Sequence, residues 1–538
     1  MSRLFCCVLL GGWFLGLLPL AAFPAGPADP AQRIEASGIR GSLVICGGGK
    51  LPEEVAQQFM KLAGGNSARL VIIPTASTGA DKAGADNYLS PWRKRKPASV
   101  VLLHTRSRAR ADAEDFTVSL REATGVWFGG GSQARVAEAY LGTGVEKELY
   151  ALLARGGVVG GTSAGAAIMS RVMISGGTAK ADLGTGFNLL PGSVIDQHFT
   201  ARNRRVRLVG VISARPALVG YGIDEGTALI ARGRSLQVLG EGTVSVLLGP
   251  AGKGDDESRP LKEQLLRKGQ VADLTALRRA ALLRAGERFP PASQEPAVIS
   301  KGALVLGGGG GMPAGIVRRF IELAGGPQSL IAIIPGAMED PVPHPPGEER
   351  MLRRQGARNL VVLHSRRPGE KERKHFAAVL NKAGGVWFCG GRQWRLVDAY
   401  GGTEIEQLFH DVLGRGGVVG GSSAGASIQA SYMARGNPLG NRDIMAEGYE
   451  KGFGFLPGTA VDQHFSQRGR LADMEALVAR FPQLLGIGLD ESTAIVVKGS
   501  VAEVMGLHKA HFYAGDKRTR LGAKSFYNLK RRAALPVR

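Results

Sequence analysis

The chain repeats itself. "RGGVVGGTSAGA" begins at Arg155 and "RGGVVGGSSAGA" at Arg415, and the two differ only at Thr162 against Ser422. Offsets of 260 to 266 residues also relate "SLVICGGG" at Ser42 to "ALVLGGGG" at Ala303 and "GVWFGGGSQ" at Gly125 to "GVWFCGGRQ" at Gly385. They relate "DQHF" at Asp196 to Asp462, and "IDEGTA" at Ile223 to "LDESTA" at Leu489. A repeat this long is one domain fold used twice, and 538 residues exceed what a single core ordinarily organises.

Within each repeat, short Val- and Ile-rich runs end in glycine or proline and give way to helix-like segments. Pro52 to Ala63 is one of these, with proline in the first turn. Apolar runs that are continuous rather than alternating predict strands buried on both faces, as in a parallel sheet between helix layers. The fold class is therefore α/β, with a first domain at 38–250 and a second at 299–538. The linker 251–298 is turn-rich and charged at first. It then reads as a helix interrupted at Gly269, and carries no chemistry of its own.

Residues 1–25 have the pattern of a secretory signal peptide: one early arginine, an apolar run, then small residues and prolines. The expectation is a secreted or periplasmic protein cleaved near Ala22 or Ala25, without stable membrane insertion afterwards. An uncleaved anchor is the alternative. Of the four cysteines, Cys6 and Cys7 lie in that leader. Cys46 and Cys389 are too few for a disulfide framework and lack metal-ligand spacing, so no metal site is expected. The net charge of +22 would suit an anionic partner. No nucleic-acid-binding motif accompanies it, so clusters such as Arg93 to Lys96 read as solvated basic faces and no nucleic-acid partner is expected.

The chemistry concentrates around two serines. Ser163 and Ser423 each sit between glycines where a buried run turns into a small-residue helix, the local pattern of a nucleophile elbow. The amides of Ala164 and Ala424, at the helix starts, are candidate oxyanion donors. Gly130 and Gly131, with Gly390 and Gly391 in the second half, are candidates for the second donor. Gln133 and Gln393 follow them and are placed to bind polar substrate groups. His198 and His464 recur at matching places after the serines, and Glu225 and Glu491 follow 27 residues later. The order Ser…His…Glu differs from that of α/β-hydrolases, which points to a serine-hydrolase site on another α/β scaffold. Behind His198 comes a comb of Arg202, Arg204 and Arg207, whose guanidinium groups suit carboxylates. The "CGGG" at Cys46 lacks the Lys-Ser/Thr of a phosphate loop and reads as a tight turn.

Together, "GTSAGA", "GGxQ", "DQHFxxRxRxxRL" and the acidic "DE(G/S)TA" segment resemble the S51 serine peptidases. Within them the long histidine–arginine motif resembles the cyanophycinases rather than the peptidase E-like dipeptidases. The resemblance covers nearly the whole chain after the leader, twice. It implies two tandem class I glutamine-amidotransferase-like (flavodoxin-like) three-layer sandwiches with mainly parallel sheets, and no metal or organic cofactor. It also implies an exopeptidase that cuts cyanophycin, a poly-aspartate bearing arginine on each β-carboxyl, into β-Asp-Arg dipeptides. By the same resemblance Ser163 and Ser423 are nucleophiles, His198 and His464 general bases, and Glu225 and Glu491 their orienting carboxylates. Gln133, Asp196, Gln197, Arg202, Arg204 and Arg207 would bind substrate, as would Gln393, Asp462, Gln463, Arg468 and Arg470. Two other readings stay open: an S51 peptidase for other Asp-containing or isoaspartyl peptides, and a non-catalytic polymer-binding protein on the same fold. The second half departs from the pattern at Asp473, where the third arginine is missing, and at Arg392, where the first half has Ser132. The first half is therefore expected to be the more active. A duplicated enzyme joined by a linker is also compatible with an intramolecular pseudo-dimer.

Overall fold

The computed structural model describes residues 35–251 and 259–536, so the leader reading, with Cys6 and Cys7, lies outside the described residues. The first half starts with β1 (Ile39–Cys46), β2 (Arg69–Ile73), β3 (Ser99–Leu102), β4 (Gly125–Phe128) and β5 (Val158–Thr162). These lie side by side in the order β1-β5-β4-β2-β3, all parallel. Their burial matches the continuous apolar runs: β4 and the last five residues of β1 are buried throughout.

The helix Glu53–Leu62 covers one face through Val55, Ala56, Phe59 and Met60. Glutamates in its first turn and Lys61 in its last oppose the helix dipole favourably. Phe59 meets Trp92 and Trp127 at centroid distances of 5.1 and 5.0 Å, an edge-on aromatic cluster that pins this helix to the sheet.

The chain continues through the hairpin β6 (Val172–Gly176) and β7 (Asp182–Thr185), then β8 (Ser193–Gln197), β9 (Val219–Ile223), β10 (Thr227–Gly233), β11 (Ser235–Gly240) and β12 (Val244–Leu248). Strands β10 and β11 extend the large sheet antiparallel to β1. A smaller sheet runs β13 (Lys262–Leu266), β12, β9, β8, with β8 and β9 parallel. The second half repeats the plan with β15 (Ala303–Gly307), β16 (Leu330–Ile334), β17 (Asn359–Val362), β18 (Gly385–Phe388) and β19 (Val418–Ser422). There follow β20 (Ala430–Met433), β21 (Leu456–Gln463), β22 (Leu485–Leu489), β23 (Thr493–Lys498), β24 (Val501–Gly506), β25 (Ala510–Ala514), β26 (Lys517–Leu521), β27 (Phe526–Asn528) and β28 (Ala533–Leu535).

The expected linker takes a different form. Lys262–Leu266, read as helix, is strand β13 on the open edge of β12, and Val271–Asp273 is β14 on the edge of β11. These are the counterparts of β26 and β27, so both belong to the repeated sheets. Helix-favouring Leu, Lys, Glu and Gln yield here because pairing an open sheet edge outweighs a weak local preference. The helix is confined to Leu274–Ala285, started by the Asp273 carboxylate, which accepts from the Ala276 amide at 2.8 Å.

This end of the first half packs on the second. Arg234, from the turn between β10 and β11, pairs with Asp273 and Asp398, donates to the Tyr449 hydroxyl at 2.8 Å and lies 4.5 Å over the Trp394 ring. Arg284 Nε donates to Glu447 at 2.5 Å, and Arg259 Nη2 lies 3.1 Å from Glu450. Ion pairs this well buried are costly to break, because the survivor stays desolvated.

Candidate active site

Ser163 follows β5, His198 follows β8 and Glu225 follows β9, at the carboxyl ends of strands where an open α/β sheet presents its ligands. The register of the parallel pair β8–β9 sets Gln197 beside Ile223 and so brings the next residues of both strands to one edge. The backbone of Ser163 has φ 53° and ψ −112°, and Ser423 has 56° and −118°. Such values are strained for a residue with a Cβ and turn the side chain out of the strand-to-helix corner. Gly161 and Gly165 permit the corner, since a Cβ on Gly161 would stand 2.3 Å from the Gly165 carbonyl oxygen.

His198 Nε2 is 2.8 Å from Ser163 Oγ, and its Nδ1 is 2.5 Å from Glu225 Oε1. In the second half His464 Nε2 is 3.0 Å from Ser423 Oγ and its Nδ1 is 2.6 Å from Glu491 Oε1. With the carboxylate accepting at Nδ1, the imidazole presents Nε2 as base to the hydroxyl. Burial lowers the pKa of both histidines despite the stabilising glutamates, and Arg202 and Arg468 push the same way. Each imidazole is therefore held neutral, the form that takes a proton from serine.

The glycine turn after β1 is part of this assembly. The Cys46 carbonyl accepts from the Ser163 amide at 3.1 Å and the Gly47 carbonyl from the His198 amide at 2.6 Å. A Cβ on Gly48 would fall 2.3 Å from the His198 ring, so the turn lies flat against the imidazole and only glycine fits. Asp224 was not anticipated. Its carboxylate accepts from the Thr200 amide and hydroxyl and from the Thr243 amide and hydroxyl, which ties the loop behind His198 to the β9 end. Asp490 holds the matching place in the second half, accepting from the Ser466 and Lys509 amides. The recurrence of Asp before Glu in both halves was the signal for it.

Gly130 lies against the serine: a Cβ there would be 3.5 Å from Ser163 Cβ. Gly390 has the same relation to Ser423, at 3.6 Å. Gly131 and Gly391 instead press on the carbonyls of Ala76 and Ala337. The Ala164 and Ala424 amides open the short helices Ala164–Ala167 and Ala424–Ser427.

The residues expected to bind substrate divide. Gln133 is buried and donates to the Ile174 carbonyl at 2.5 Å, and Gln393 donates to the Ala434 carbonyl at 2.6 Å. The arginine comb, expected to project together, does not. Arg207 is buried and grips Asp196 with both Nε (2.7 Å) and Nη2 (2.5 Å), while Nη1 donates to the Gly177 carbonyl. Arg204 bonds Asp196 and the carbonyl and side-chain oxygens of Gln197. A buried carboxylate needs such partners, and it draws the guanidinium groups inward. Only Arg202 stays exposed beside His198, with Arg468 as its counterpart.

In the second half Arg470 bonds Asp462 and Gln463. The arginine missing at Asp473 is supplied from elsewhere: Arg435 Nε bonds Asp462 at 2.9 Å and its Nη2 bonds Asp473 at 2.6 Å. Arg392, which stands where the first half has Ser132, has its Nη2 on the carbonyls of Asn437 and Gly440 at 2.6 Å.

The sequence profile described as Peptidase family S51 matches residues 43–239 and again 303–505. The chain belongs to peptidase family S51, and as such it is a serine-type peptidase. It is 33% identical over 225 residues to a cyanophycinase of Geminocystis herdmanii, across 40% of this chain and 82% of that protein. It is 35% identical over 249 residues to a cyanophycinase of Synechococcus elongatus, across 43% of this chain and 77% of that one. Among solved structures it is similar to a peptidase from an acI-B1 Actinobacterium, at 22% identity and a TM-score of 0.35, covering 44% of this chain and 98% of the other.

Proposed function

We propose that this peptidase is secreted and degrades cyanophycin as an exopeptidase, releasing β-Asp-Arg dipeptides. The observation that carries the reading is the Ser163–His198–Glu225 relay, continuous through hydrogen bonds of 2.8 and 2.5 Å. Relatives named cyanophycinase supply the substrate class, and the pattern of residues 1–25 supports secretion.

Ser163 Oγ attacks the scissile carbonyl as His198 Nε2 takes its proton, and Glu225 steadies the imidazolium that forms. The Ala164 and Gly130 amides receive the oxyanion. His198 then returns the proton to the leaving amine, and water hydrolyses the acyl-enzyme by the reverse sequence. Arg202 faces the substrate carboxylates. Asp196, Gln197, Arg204 and Arg207 form the pocket floor beneath them, with Gln133 at its side, and Asp462, Gln463, Arg470 and Gln393 have the same roles around Ser423 and Arg468.

The test is incubation with purified cyanophycin and mass-spectrometric detection of the released dipeptide. Wild type releases β-Asp-Arg, and the Ser163→Ala/Ser423→Ala double variant releases none. Cleavage of isoaspartyl dipeptides without attack on the polymer would transfer the assignment to the broader Asp-peptide reading.

A further inference from the structure

The two halves differ at the backbone amide of the glycine that lies against the serine, Gly130 in one and Gly390 in the other. The Gly390 amide donates to Glu348 Oε1 at 3.2 Å. Glu348 stands half-buried in the first turn of the helix Gly347–Arg354. The Cys389 thiol next to that amide is buried and feels the same carboxylate, which lies beside this turn of the second site. Among the described residues no lysine or arginine pairs with Glu348.

The first half has nothing equivalent. Counted back from the following strands, which begin at Ser99 and Asn359, the place of Glu348 belongs to Tyr88. The Tyr88 hydroxyl points to Ser77 Oγ at 3.4 Å, and among the described residues no acceptor is bonded to the Gly130 amide. The serine–histidine and histidine–glutamate bonds of the two sites are nearly the same, at 2.8 and 2.5 Å in the first and 3.0 and 2.6 Å in the second.

We infer that Glu348 holds the second site latent by occupying its oxyanion donor, so that Ser423 is a competent nucleophile without a place for the charge it would create. This rests on the reading of Ser423 as a hydrolase nucleophile. A tetrahedral intermediate puts a negative oxygen where N–H groups converge. Here one N–H is already spent on a carboxylate, and that carboxylate repels the incoming charge at short range. Loss of a single oxyanion donor costs about 100- to 1,000-fold in kcat.

The test uses the full chain and a fluorophosphonate probe, with labelling of Ser163 and Ser423 followed separately by peptide mass spectrometry. Wild type labels Ser163 about 100-fold faster than Ser423 or more. Glu348→Ala and Glu348→Tyr, the second restoring the first half's residue, each accelerate Ser423 by about tenfold or more and leave Ser163 unchanged. In a Ser163→Ala background the same substitutions raise dipeptide release. Two variants of different size, each checked by thermal unfolding, separate release of the amide from damage to the fold. Equal labelling of both serines in wild type overturns the inference, as does an unchanged Ser423 rate in both variants. Slower Ser423 labelling in both also overturns it, because Glu348 would then be assisting the site. Absence of labelling at either serine in every form would remove the nucleophile reading itself, and this inference with it.

Discussion

Asp196 and Asp462 occupy the same place under the two sites, and each is held by two guanidinium groups, but the second arginine arrives by different routes. In the first half Arg207 comes from the helix Arg205–Ala214, within the same motif as His198. In the second half Arg435 comes from the segment between β20 and β21. That segment also bears Glu447, Tyr449 and Glu450, which contact Arg284, Arg234 and Arg259 of the expected first domain and linker. The hairpin β6–β7 stands in the corresponding stretch of the first half, bonded to Gln133 and Arg207 of its own half. The first site is thus self-contained, while the second draws an essential cation from a segment anchored across the interface. What a duplicated fold preserves is the requirement of the buried carboxylate, not the position that satisfies it.

The largest expected effect falls on the two serines. Ser163→Ala should remove about 99% of dipeptide release or more, and Ser423→Ala less than half, measured as initial rates on cyanophycin. Equal losses would erase the difference between the sites. The next effect is on stability. Arg207→Ala and Arg435→Ala each leave a buried aspartate short of a partner and should each cost about 3–5 kcal/mol in urea unfolding. A cost near zero for Arg435→Ala would end the equivalence of the two arginines.

A smaller effect concerns the interface. Burial alone would raise the Glu447 pKa, but bonds to Arg284 and Lys262 outweigh it and lower the pKa below the usual carboxylate value. A lowered carboxylate pKa contributes stability that is present above the unfolded value, near 4.5, and fades as pH falls below it. Glu447→Gln should therefore cost about 1–3 kcal/mol at pH 7, and the difference from wild type should shrink as the solution is acidified below that range. Fluorophosphonate labelling of Ser423 should slow more than that of Ser163 in the same variant.

The smallest effect is on the pH profile. The histidine pKa lies below its usual 6.5, so the acid limb of kcat/KM falls below that value. Arg202 adds to the lowering. Arg202→Ala in a Ser423→Ala background should move the limb upward by a fraction of a pH unit, and Arg468→Ala should leave it in place.

Much of this molecule was legible in the residues. The duplication, the continuous apolar strands and the serine, histidine and glutamate at strand ends are written locally, because strand burial and tight turns depend on neighbouring residues. The helix read before Gly269 was the instructive departure. Its composition favours helix, yet β12 offered an unpaired edge, and no local pattern reports the presence of a distant edge.

By itself the sequence determined that one α/β unit is used twice, and singled out the serine, histidine and glutamate that the fold brings into hydrogen bonding in each. Only the tertiary structure decided that Arg204 and Arg207 turn inward to Asp196, that Arg435 replaces the arginine absent at Asp473, and that Glu348 sits on the Gly390 amide. Each of these joins groups whose pairing follows from burial and charge in three dimensions. A buried carboxylate takes the nearest available cation and a buried amide the nearest acceptor, and nearness is a property of the fold.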